Sequence, residues 1–179
     1  SGMPGTEENR HPDAQINHPI EEVAGRVVKY IRELKPEVVV TFDPIGGYKH
    51  PDHIHIQQAT TLAYEKADDA SFHPEAGAPF KPQALYYHVF PKSFLKWAVR
   101  LMPLVGRDPR KFGRNGDIDL TDLIVDFPVH VSLDIRSVAE IKRKAGEQHA
   151  SQGGIQMRRG LMGFVTRVGV PGKFTVSTA

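Results

Sequence analysis

The 179-residue chain contains no cysteine. Disulfide frameworks and thiolate metal sites are excluded, so any metal must be held by imidazole and carboxylate. A cysteine-free chain also fits a reducing cytoplasm, which is the expected location. No apolar run approaches the ~20 residues of a membrane helix, and no signal peptide is visible. Charge of one sign is nearly absent in excess. The 23 basic and 21 acidic residues give +2, too even a balance to argue for a nucleic-acid partner. Basic residues bunch at 107–114 and 136–144, as solvated helix faces and loops commonly do. The one tryptophan, Trp97, lies in an amphipathic stretch where packing is its expected role.

What is present reads as one α/β domain with a substantial core. Residues 1–18 are polar and turn-rich. Asn17-His18-Pro19 then supplies a cap and a helix-starting proline. Ile20, Val23, Ala24, Val27, Val28, Ile31 and Leu34 follow at helical spacing, with Glu21, Glu22, Lys29, Arg32 and Glu33 opposite. Lys35-Pro36 ends that helix. Residues 38–42, Val-Val-Val-Thr-Phe, form the continuous apolar run of a strand buried on both faces in a parallel sheet.

A second helix is expected over 51–67, a loop over 68–82 and a strand over 84–90. A helix over 93–102 precedes a long irregular segment, 105–126, which suits a lid or substrate-selecting loop. Alternation at 129–134 predicts a half-exposed strand, 135–150 a helix, and 173–177 a last strand. This is the rhythm of a three-layer αβα, doubly wound, Rossmann-like fold. Residues 1–152 are expected to carry the domain, and 153–179 to complete it. Neither repeats nor low-complexity segments occur.

The chemistry concentrates after the first strand, in Gly46-Gly47-Tyr48-Lys49-His50-Pro51-Asp52-His53. In open α/β sheets, ligands gather where strands end and loops begin. Two glycines permit a sharp turn, Pro51 starts a helix, and His50 and His53 share one side of its first turn. The helix N-terminus favours an oxyanion or a metal-bound hydroxide. A plainer reading competes: His-Pro-Asp is a good helix start by itself, with Asp52 complementing the dipole. His55 points elsewhere and is expected at the surface. Asp43 either holds a ligand hydroxyl or merely begins the turn.

The run Thr41-Phe42-Asp43-Pro44-x-Gly46-Gly47-Tyr48-x-His50-Pro51-Asp52-His53 resembles the second signature of the LmbE-like, or PIG-L, zinc deacetylases. The opening Ser1-Gly2-Met3-x-Gly5-Thr6 is similar to a segment that follows that family's first signature. Lys144-Ala145 through His149-Ala150-Ser151-Gln152 resembles its late helix.

By position, the resemblance implies that His53 is a zinc ligand. His50 would be an imidazolium that stabilises the oxyanion or protonates the leaving amine, with Asp52 as its orienting carboxylate. Tyr48 would assist at the oxyanion. Asp43, Met3 and His149 would contact substrate. The implied cofactor is Zn2+. The implied reaction is hydrolysis of an N-acetyl amide on a small amino-sugar (GlcNAc-type) conjugate, and homo-oligomers are common among such proteins.

One departure matters. The family's first signature, Ala-His-Pro-Asp-Asp-Glu, supplies two further ligands and the general base, and it has no counterpart here. His11-Pro12-Asp13-Ala14 mimics it but lacks the second acid. The expectation is therefore the carboxyl-terminal portion of a longer enzyme, with the first motif and N-terminal strand or strands outside this chain. Three rivals stay open: a catalytically incompetent fragment or binding protein of the same fold, an amidase of a glucosaminyl-inositol thiol conjugate, and a different metallohydrolase using both His50 and His53.

Overall fold

A computed structural model describes residues 2–89, 92–113, 116–149 and 173–178. They fall into two compact units, 1–130 with 176–179, and 131–175. Expectations for 150–172, including Ala150, Ser151, Gln152 and most of the carboxyl-terminal extension, lie outside the described residues.

In the first unit, helix α1 spans Ile20–Leu34 and helix α2 spans Pro51–Lys66. The periodic apolar positions explain their pairing. Val23, Ala24, Val28 and Ile31 of α1 pack with Ala59, Ala63 and Ala67 at α2 and its end. Val28 is fully buried, and burial of a side chain of this size contributes about 2 kcal/mol. Small alanines on α2 let the helices approach closely.

Pro19 is the N-cap residue of α1 and offers no side-chain cap. Asn17, expected to help cap, instead donates to the carbonyls of Asn9 and His11 and ties down the amino-terminal segment. That segment forms two short 3-10 turns, Glu7–Arg10 and Gln15–Asn17. Lys35 closes α1 in the left-handed conformation, a common helix stop.

Arg32 departs from its expected place on the polar face. It is 3% exposed, and its guanidinium donates to the carbonyls of Ala67, Asp69, Phe72, His73 and Gly77. The planar fork gathers the carbonyls of this loop, adding to the backbone N–H groups that Ala67, Asp69 and His73 already accept from Phe80, Phe72 and Ala76.

Strand β1, Val38–Phe42, runs parallel to β2, Ala84–His88, with Phe42 opposite His88. The end of strand β4, Lys173–Thr178, pairs antiparallel to β2 through Val176, Ser177 and Thr178. The unit is thus mixed α/β, with a small sheet that joins the parallel pair β1–β2 to an antiparallel strand. β1 differs from the expected strand buried on both faces. Val39 packs on the helices, whereas Val38 and Val40, on the other face by strand alternation, are each 47% exposed.

Helix α3, Lys92–Leu101, packs through Leu95 and Val99 with Met102, Leu120 and Leu123. Among the described residues, the segment after it is irregular apart from short 3-10 turns at Met102–Val105 and Leu120–Leu123 and a bridge between Phe112 and Ile118. Trp97 is 67% exposed, so the packing role expected for it does not hold among the described residues. α3 turns Leu95 and Val99 inward and leaves the tryptophan on the opposite side.

The second unit holds strand β3, Val131–Asp134, and helix α4, Ala139–Glu147. β3 is more exposed than its alternation suggested, because Ser132, Leu133 and Asp134 all face outward. Among the described residues, no helix is long and apolar enough to cross a membrane.

Candidate metal-facing histidine site

The site grows from the carboxyl end of β1. Asp43 follows Phe42 and is 2% exposed. Its Oδ1 accepts from the N–H groups of Ile45 at 3.1 Å and Gly47 at 2.8 Å, and its carbonyl accepts from Gly46 at 2.8 Å. Of the two roles open to Asp43, these contacts describe the turn-holding one. Burial pushes its carboxyl up, opposed by the Gly47 and Ile45 hydrogen bonds and by nearby His88.

The chain then makes one distorted helical turn, Gly46–Lys49, in which Gly47 and Tyr48 are not helical. Gly46 has φ +65°, and a Cβ there would stand 2.9 Å from the backbone nitrogen of Ile54. Glycine is required at this position on both counts.

His50 is the N-cap residue of α2. Its Nδ1 accepts from the N–H of Asp52 at 3.2 Å, so the ring proton of the neutral form sits on Nε2. The Asp52 carboxylate lies 4.0 Å from the same nitrogen. Burial and His53 nonetheless hold the His50 pKa below its ordinary value, outweighing Asp52. That shift runs against the imidazolium expected at His50, because the ring is partly buried and a second imidazole stands beside it.

His53 has the opposite arrangement. Its Nδ1 lies 3.2 Å from the carbonyl oxygen of Gly46. A carbonyl only accepts, so Nδ1 carries the hydrogen and the Nε2 lone pair is available. Phe42 stacks on the His53 ring at 3.9 Å and 8°, and Tyr48 meets it edge-on at 5.0 Å. Tyr48 also packs on the Leu95–Leu123 cluster. Burial, then Asp117 and Asp52, push its phenol up, so it stays a protonated donor at neutral pH.

The donor set fits a metal at His53 and not at His50. Imidazole ligands bind through one nitrogen while the other donates to a carbonyl or carboxylate, as His53 does. At His50 the Nδ1 lone pair already caps the helix. Among the described residues no group of three or more His, Asp and Glu is arranged to hold a metal ion, so a metal at His53 would need further ligands.

The remaining candidates are less central. Met3 is half-buried, with its carbonyl accepting from Thr6 and Asn9. His149 is exposed and belongs to the second unit. His11 and Asp13 are exposed and paired with each other. His55 is a correction: it is 8% exposed, and its Nε2 donates to the His18 carbonyl at 3.0 Å, because that face of α2 covers the amino-terminal segment.

Sequence reasoning missed Phe42 as the stacking partner, although its place as the last β1 residue before the motif was a usable signal. It also missed the link from the irregular segment, where Asp122 pairs with Lys49 at 3.3 Å.

The fold and site define a mixed α/β protein whose first parallel strand leads to a helix-capping histidine and to a second one whose Nδ1 is held by a carbonyl. Residues 5–64 match the model of the PIG-L family, described as GlcNAc-PI de-N-acetylase. The chain is 37% identical over 152 residues to a 1D-myo-inositol 2-acetamido-2-deoxy-alpha-D-glucopyranoside deacetylase of Rhodococcus erythropolis, covering 85% of this chain and 50% of that protein. A protein of the same description from Thermobispora bispora is 36% identical over 153 residues, 85% of this chain and 49% of the relative. Another from Catenulispora acidiphila is 32% identical over 170 residues, 95% of this chain and 52% of the relative. Over residues 5–64 the chain is thus similar to the PIG-L, or LmbE-like, family. It spans about half the length of the curated relatives it matches.

Proposed function

We propose that this chain carries one half of the site of a zinc-dependent N-deacetylase acting on an N-acetylglucosaminyl conjugate. His53 is the metal ligand it contributes, through Nε2, and the other ligands and the general base come from polypeptide outside these 179 residues. The observation that carries the reading is the opposite hydrogen bonding of the two rings, which leaves His53 Nε2 open and His50 Nδ1 engaged. The relatives' described substrate, an N-acetylglucosaminyl-inositol, supports the substrate class.

Zinc, when bound, lowers the pKa of a coordinated water and polarises the acetyl carbonyl. The chain's own residues do the rest. His50, neutral and capped at Nδ1, presents Nε2–H as a donor for the developing oxyanion, much as a neutral imidazole can polarise a carbonyl. The backbone N–H of Asp52 orients that ring by donating to Nδ1, and the Asp52 carboxylate lies 4.0 Å from the same nitrogen. Tyr48, held protonated, is a second donor. Met3 is proposed to line the sugar pocket, and the 105–126 segment to border it through the Lys49–Asp122 pair.

The test is acetate release from N-acetylglucosaminyl-inositol by a polypeptide extended to the relatives' length. Hydrolysis abolished by chelation and restored by zinc is the expected result. Undiminished hydrolysis after exhaustive chelation refutes the metal-dependent reading. Tight substrate binding without hydrolysis favours the binding-protein alternative.

A further inference from the structure

The buried carboxylate of Asp43 and the ring of His53 hydrogen-bond to opposite ends of one peptide unit. Gly47 N–H donates to Asp43 Oδ1 at 2.8 Å, and the carbonyl of Gly46, the other half of that amide, accepts from His53 Nδ1 at 3.2 Å. We infer that Asp43 is a positioning residue that sets, through the Gly46–Gly47 peptide, which nitrogen of His53 is free.

Steric packing does little to fix that peptide at its Gly47 end. Both flanking residues are glycines at positive φ, +65° and +70°, a region glycine enters and leaves at little cost. Nothing lies within 4 Å of where a Gly47 Cβ would be. A flip of the amide plane is thus sterically cheap at its Gly47 end and would turn the Gly46 carbonyl away from His53. Asp43 opposes the flip by holding Ile45 and Gly47 with its carboxylate and Gly46 with its carbonyl.

An anion on the N–H also polarises the amide, which makes the Gly46 carbonyl a better acceptor for His53 Nδ1–H. Phe42, adjacent to Asp43, stacks on the ring at 3.9 Å and fixes its plane. The ring plane and the protonated nitrogen are therefore controlled by two consecutive residues at the end of β1. A turn-starting aspartate with no further role would not need its amide partner to face a histidine.

The significance of a free Nε2 rests on the metal-ligand reading above, but the tautomer is measurable without metal. In the 15N-labelled, metal-free 179-residue chain at neutral pH, the ring nitrogens of His53 should report hydrogen on Nδ1 and a bare Nε2. Asp43→Ala should lower the Nδ1–H to Nε2–H ratio roughly five- to tenfold, the equivalent of one lost net hydrogen bond. Asp43→Asn, which keeps an uncharged acceptor, should fall between the two. Wild-type His53 with hydrogen on Nε2 overturns the inference, as does an Asp43→Ala ratio equal to wild type. Should Asp43→Ala not fold, an Asp43→Asn spectrum identical to wild type overturns it.

In the extended polypeptide, Asp43→Ala should weaken zinc binding about 10- to 100-fold, as for other outer partners of metal ligands. The expected tautomer change without any zinc binding at His53 would sink the metal reading and leave the positioning role standing.

Discussion

His50 and His53 lie with ring centroids 4.8 Å apart, yet Nδ1 is an acceptor in one and a donor in the other. Two chemically identical side chains on one helical turn are thereby given different free nitrogens. His50 is left with an N–H to offer, and His53 with a lone pair. This division comes from backbone partners, Asp52 N–H and Gly46 C=O, and not from the sequence spacing that makes the two rings neighbours.

His50 supplies a pH signature. Its pKa is lowered in the fold, first by burial and then by His53, from an ordinary value of 6.5. The unfolded chain then binds the proton more readily, so stability attached to this group is present above about pH 6.5 and is lost as pH falls through the lower folded value. Protonation also removes the Nδ1 cap. Denaturant unfolding midpoints of the metal-free chain should drop between pH 7 and pH 5. His50→Asn keeps a cap acceptor and should flatten that slope; an unchanged slope contradicts the assignment.

Gly46→Ala should destabilise the turn. The residue would be held at φ +65° with its Cβ against Ile54 N and His53 Cβ. A cost of about 2 kcal/mol is expected, read as a lower thermal midpoint. A wild-type midpoint would show that the turn can open without consequence.

Arg32→Leu should cost about 3 kcal/mol, because five carbonyls from Ala67 to Gly77 lose the guanidinium as a donor. Arg32→Lys, with fewer donors and no planar fork, should recover only part. Urea titration of both variants checks the order, and full recovery by lysine contradicts it.

Four elements were placed to within a residue or two: α1 by its apolar spacing, β1 by its apolar run, α2 by Pro51, and the last strand in spite of a weakening pattern. Tertiary facts were not legible. Arg32 sits where helical spacing puts a solvent-facing residue, and only the 67–77 loop folding over it explains its burial. His55 is buried because the amino-terminal segment covers α2 there. The motif located the site, while the protonation of its two histidines depended on backbone hydrogen bonds and on desolvation of the His50 ring.

The most direct measurement is zinc stoichiometry in the polypeptide extended to the relatives' length, by elemental analysis of purified variants. His53→Ala should hold little or no zinc, and His50→Ala should keep one equivalent per chain while losing most turnover. A His53→Ala protein that retains its full zinc content, or a His50→Ala protein that loses it, would contradict the assignment of the open nitrogen at His53 to the metal.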